Sequence, residues 1–126
     1  MFEKLYNKAI SFDADIAVCD MTYVFDDHET LSKGAEKEVA SFKVDNDVIG
    51  INNSACNKIY RFNLIRPYYF PKGQLYEDLA LIPILLSKAN KVVYVKEALY
   101  YYRQRSGSIV HVLTDKIFDI YKSSEL

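Results

Sequence analysis

The sequence predicts a mixed α/β fold, a sheet with flanking helices, in a single domain spanning residues 1–126. Three observations carry this. ADIAVCDMTYVF, residues 14–25, is apolar and β-rich, and its first half scarcely alternates, as in a strand buried on both faces. EDLALIPILLSKA, residues 77–89, has the apolar spacing and charged ends of a helix. Helical and β-rich runs also interleave along the chain, as they do in an α/β order.

The elements follow in sequence. Phe2, Leu5, Tyr6, Ala9 and Ile10 recur at helical spacing, so residues 2–11 form a short amphipathic helix. The strand 14–25 comes next. DDHET and LSKGAEKE are polar turn material and could form a hairpin tip. VASFKV can be a strand and DNDVIG a turn. SACNKIYRFNLI reads as a strand running into a helical turn near 62–66. RPYYFPKG is a loop marked by Pro67, Pro71 and Gly73. The helix 77–89 has acids in its first turn, Lys88 in its last and Asn90 just past its end. Pro83 should kink it or remove one backbone bond. KVVYV and ALYYYRQR read as two strands joined by the turn KEA. SGS is a loop, and TDKIFDIYKSS is a closing amphipathic helix.

Composition narrows the function. Half the residues are hydrophobic and 26% are charged, the balance of a globular protein large enough to need no staples. The net charge of −1 provides no basic field, which argues against a nucleic-acid partner. Cys19 and Cys56 match no metal spacing and read as buried thiols in a reducing cytoplasm. MFEKLYNKAI lacks the apolar core of a signal peptide, and no run of about eighteen apolar residues occurs. The expected location is therefore cytoplasmic. Chemistry is concentrated in QLYEDL, where Glu77 and Asp78 open an apolar helix. Acids there can simply cap the helix. They can also supply a general base fixed by a buried element.

Three runs, ACNKIYRFNLI, FPKGQLYEDLALIPILLSKANKVVYV and ALYYYRQRSGSIVH, closely resemble the second half of bacterial family 2 glycosyltransferases. These are enzymes of cell-surface polysaccharide synthesis with the GT-A fold. FEKLYNKAISFDADIAVCD resembles the helix and strand that follow the family's metal-binding Asp-x-Asp segment, so the resemblance covers nearly the whole chain. It implies a partial GT-A fold, the acceptor-side part of the catalytic domain. The nucleotide-binding half would precede Met1 in the same protein. Asp13-Ala14-Asp15 spells the motif, but it comes before its strand. Ligands in α/β sheets bind at the carboxyl ends of strands, so these acids belong to a turn.

The resemblance implies an inverting transfer from a nucleotide sugar to a saccharide or lipid-linked acceptor. Asp78 would be the general base with Glu77 beside it, and Tyr76 would contact the acceptor. Arg103, Arg105, Asn57 and Lys58 would lie near the donor and its diphosphate. In a strand, Arg103 and Arg105 share one face and Gln104 takes the other. His111 resembles a histidine that helps hold Mn²⁺ or Mg²⁺ in the full-length enzyme; one ligand makes no site, so the isolated chain should bind no metal and should not turn over. The structural alternatives are a helix cap at Glu77 and Asp78, a surface ammonium at Lys58 and an ordinary histidine at His111. Tyr68, Tyr69 and Tyr100–Tyr102 can stack on sugars or fill the core. The full-length protein could sit peripherally at the inner face of the membrane. A second reading is a non-catalytic interaction module that keeps the fold, with an exposed edge that favours a homodimer. A glycoside hydrolase fits poorly, because adjacent acids at a helix start do not face each other across a bond at about 5–10 Å.

Overall fold

The computed structural model describes residues 1–41, 43, 50–108 and 119. Its element order is α1 (Phe2–Phe12), β1 (Ile16–Val24), β2 (Glu29–Ser32), β3 (Val39–Ala40), β4 (Lys58–Tyr60), α2 (Phe62–Ile65), α3 (Glu77–Lys88) and β5 (Val92–Arg103).

β1 is the centre of the sheet. β5 runs parallel along one side of it, from Ile16 opposite Val92 to Val24 opposite Arg103. The other side is shared: β4 pairs antiparallel with Ile16–Val18, and β2 with Met21–Val24. β3 adds a short antiparallel edge to β5 at Val92 and Val93. The first seven residues of β1 are all buried, which is why the sequence hardly alternates there.

Strand periodicity divides the core into two layers. Ile16 and Val18 face α3 and pack with Leu81, Ile82, Leu85, Leu86, Val92 and Tyr94. Ala17 and Cys19 face the opposite way, toward Leu5 of α1 and Val93. α3 runs through Pro83, which is exposed, so the missing proline N–H lies away from the core. The helix ends at an extended Ala89 whose N–H donates to the Leu85 carbonyl. Asn90 is no left-handed cap: its N–H donates to Asp15 and its side chain accepts from Lys43.

One expectation needs correction. KVVYV and ALYYYRQR form one strand, β5, without a KEA turn. Cys19 pairs with Val95, but Asp20 pairs with Ala98 and Met21 with Tyr100. The surplus residues are absorbed in a bulge that turns Lys96 and Glu97 outward to water. Glu97 there forms an ion pair with Lys4 of α1. The apolar stripe of α1 is also wider than the surface it covers. Leu5 is buried, whereas Phe2, Tyr6 and Ile10 are 69%, 60% and 64% exposed.

DDHET and LSKGAEKE contribute a hairpin tip, closed by the Phe25 N–H donating to the His28 carbonyl, with ETLS drawn into the sheet as β2. The helical turn near 62–66 is α2. Most of TDKIFDIYKSS lies outside the described residues. Asp119 from that stretch is helical and buried, and its carboxylate accepts the Leu75 N–H at 3.1 Å.

Asp13 and Asp15 occupy the turn between α1 and β1. Asp13 is left-handed (φ 49°), and the Ala14 N–H closes the helix end on the Ala9 carbonyl. Arg61 grips both acids, at 2.6 Å and 2.8 Å. Asp15 also accepts the Asn90 N–H, so one guanidinium helps tie α1, β1, β4 and the start of β5 into a corner.

Candidate active site

β1 and β5 are parallel, so their carboxyl ends open on the same rim of the sheet, the usual place for a ligand in an α/β fold. A cleft of about 850 Å³ lies there. Tyr23 and Phe25 reach it from the end of β1, and Tyr102 and Gln104 from the end of β5. Ser54, Ala55 and Cys56, just before β4, form another wall. Phe70, Leu75 and Tyr76 lead into the last wall, where Glu77 and Asp78 begin α3.

The two sequence-predicted acids are not equivalent. Glu77 is exposed. Asp78 is half-buried, and its carboxylate accepts the Leu79 N–H at 3.0 Å. Burial pushes the Asp78 carboxyl above the ordinary carboxylate range, and the charge of Glu77 adds to this. The Leu79 amide and the Lys58 ammonium pull the other way. A carboxylate with a raised pKa is a better proton acceptor, provided it stays ionised. Tyr76 precedes the pair in a left-handed conformation (φ 59°) that L-residues adopt at a cost. That turn delivers Glu77 and Asp78 to the rim.

The expected cations are placed elsewhere. Strand alternation points Tyr102 and Gln104 into the cleft, while Arg103 and Arg105 are exposed and do not line it. Lys58 is buried. Its ammonium donates to the Asn52 carbonyl, to the Ser54 carbonyl at 2.6 Å and to Asn57 Oδ1 at 2.8 Å. Asn57 is fully buried, and its Nδ2 donates to the Cys19 carbonyl at 2.6 Å. An ammonium has three protons, and here each has a partner, so Lys58 presents none to a donor diphosphate. His111 lies outside the described residues. Among those residues no three His, Cys, Asp or Glu side chains converge as metal ligands, and the acids lining the cleft are Glu77 and Asp78.

The aromatic walls were less legible than the acids. Tyr23 and Tyr102 are in register and meet edge to face at 5.7 Å. Their residue types stood in the sequence, but only the β1–β5 register shows that they share a wall. Cys56 is half-buried in the cleft, 3.8 Å from the Met21 sulfur, and burial raises its pKa, which slows reaction of the thiol. Cys19 is wholly buried, and its thiol is raised for the same reason.

The sequence is similar to two curated proteins of Streptococcus pneumoniae. It is 30% identical to glycosyltransferase GlyA over 128 residues and 28% identical to glycosyltransferase GlyG over 129. These matches cover 90% and 91% of this chain but only 18% and 42% of the two relatives. No protein-family model matches. The fold is similar to that of S. aureus TarS 1–349, whose crystal structure is in complex with UDP-GlcNAc. The TM-score is 0.73 at 19% identity, covering 97% of this chain and 36% of that one. Among the described residues no helix is long and apolar enough to cross a membrane. The chain is thus homologous, over nearly all its length, to segments of two glycosyltransferases, and its mixed α/β architecture is that of part of a GT-A-type glycosyltransferase domain.

Proposed function

We propose that this chain is the acceptor-side part of an inverting glycosyltransferase that moves a sugar from a nucleotide-sugar donor to a saccharide or lipid-linked acceptor. The carrying observation is Asp78, a half-buried carboxylate with a raised pKa at the amino end of a core helix, facing an aromatic cleft. In the reaction the acceptor hydroxyl oxygen attacks the anomeric carbon. Its proton passes to the Asp78 carboxylate, and the bond to the diphosphate breaks with its electron pair leaving on the nucleotide. The helix start holds the base in place, and the dipole favours its ionised form.

Among the described residues no lysine or arginine lines the cleft, while Tyr23, Phe25, Phe70, Tyr76 and Tyr102 do. Such walls suit the C–H faces of a neutral sugar better than a diphosphate. The nucleotide and its diphosphate would bind residues beyond this cleft, as would any divalent ion, so the isolated chain should not turn over. The comparisons support this reading through the two named glycosyltransferases and through TarS, which binds UDP-GlcNAc.

The test is transfer by the full-length gene product with a panel of nucleotide sugars and Mn²⁺. Asp78→Asn should lower the rate by about 10²-fold or more, the scale of a lost general base. Equal transfer by both proteins would make Glu77 and Asp78 a helix cap. Consumption of no donor by the native protein would favour an interaction module built on the same fold.

A further inference from the structure

The segment that supplies the Ser54–Cys56 wall has almost no regular structure. It is pinned at its two ends. The Asn52 N–H donates to the Gly34 carbonyl, and the Asn52 side chain donates to Ser32. At the other end the Asn57 carbonyl accepts the Cys19 N–H, and its side chain donates back to the Cys19 carbonyl. Between these pins the chain has to curl, and it curls around the Lys58 ammonium. The carbonyls of Asn52 and Ser54 both point inward at that charge.

Lys58 enters from β4, whose pairing with Val18 of β1 fixes its backbone. The ammonium is thus held by the sheet, and the wall is held by the ammonium. Further ties are the Ser54 N–H donating to Asn52 Oδ1 at 2.7 Å, the 3.3 Å bond from the Tyr60 hydroxyl to the Ala55 carbonyl, and the Cys56–Met21 sulfur contact at 3.8 Å. Asp78 stands within electrostatic reach of the same charge. Burying a cation is unfavourable unless it is fully hydrogen-bonded, and here the carbonyls of Asn52 and Ser54 and the Asn57 side chain meet that demand. A surface ammonium would contribute nothing comparable to the wall.

We propose that Lys58 is a positioning residue: its buried ammonium gathers the Asn52 and Ser54 carbonyls and so sets the Ser54–Cys56 wall of the cleft facing the acids of α3. This deepens the glycosyltransferase reading by assigning the wall to acceptor binding, but the geometry stands without it.

The chain carries its own reporters. Cys56 lies in the wall and Cys19 is in the core, so alkylation of each, resolved by peptide mass spectrometry on the full-length protein, separates a loosened wall from unfolding. In Lys58→Met, Cys56 should react with iodoacetamide about tenfold faster or more, the scale of one lost charge-assisted bond, while Cys19 stays protected. Lys58→Gln, which keeps a donor, should fall between. Where the native protein transfers sugar, Lys58→Met should raise KM for the acceptor more than it lowers kcat.

A Cys56 rate unchanged in Lys58→Met, with Cys19 protected, overturns the proposal. If Met at this position exposes Cys19, the Gln variant decides by the same criterion. A faster Cys56 reaction in a protein that transfers no sugar upholds Lys58 and removes the glycosyltransferase reading. Transfer with unchanged Cys56 reactivity does the reverse.

Discussion

Asp78 illustrates how a side chain can work against the fold that holds it. Its carboxyl is raised above 3.8 in the folded state, chiefly by burial. The folded protein therefore binds this proton more tightly than the unfolded chain does. The stability from this group is full below the unfolded value and is lost as pH rises through the folded one. At neutral pH the ionised Asp78 is a net cost. Asp78→Asn keeps an oxygen for the Leu79 N–H and removes the charge. Its Tm at pH 7 should equal or exceed that of the native protein while transfer falls, and the difference should shrink toward pH 4. A marked loss of Tm would mean that the carboxylate is a structural cap. The acid limb of the rate profile should likewise lie above the ordinary aspartate value. At this scale the sequence was half legible. QLYEDL named the acids, because charge opening an apolar helix is a local pattern. Lys58 and Asn57 stood out by type, but what they do depends on carbonyls at Cys19, Asn52 and Ser54, which no local pattern reveals. His111 lies outside the described residues.

Among the elements, β1 and α3 carry the core and β5 carries the rim. Leu85 is fully buried between α3 and the sheet, so Leu85→Ala should cost about 2–5 kcal/mol by chemical denaturation. Gly34 is a sharper case. A Cβ at Gly34 would stand 2.4 Å from the Cys19 carbonyl oxygen, which is backbone of the central strand and cannot move aside. Gly34→Ala should therefore destabilise by about 1–3 kcal/mol, and a variant of native stability would show that the strand yields. The strands and helices with strong periodicity were legible, as β1 and α3 show. The β5 bulge was not, because KEA carries the polarity of a turn whether the chain reverses or merely buckles. In α1, Phe2, Tyr6 and Ile10 satisfied the helical period yet remained exposed, since a period identifies a stripe and not what covers it.

For the molecule as a whole, two helical layers enclose a mixed sheet, and the cleft opens where the parallel pair ends. The fold class could be read from the order of elements, and the likeness to glycosyltransferases from runs of residues that span nearly the whole chain. The position of the cleft could not, because it follows from the parallel register of β1 and β5. That pair also governs how the protein comes into being. The central strand is made well before its longest partner, which is among the last of the described elements to emerge, with Ile16 waiting for Val92. Until then, the neighbours of β1 among the described residues are the short antiparallel β2 and β4, and the edge that β5 will take stays open. Contacts so distant along a chain close slowly. Refolding from denaturant should be slow for a protein of this size. A chain ending before Val92 should stay unstructured and prone to associate, and stopped-flow fluorescence with light scattering on the two lengths would measure both effects.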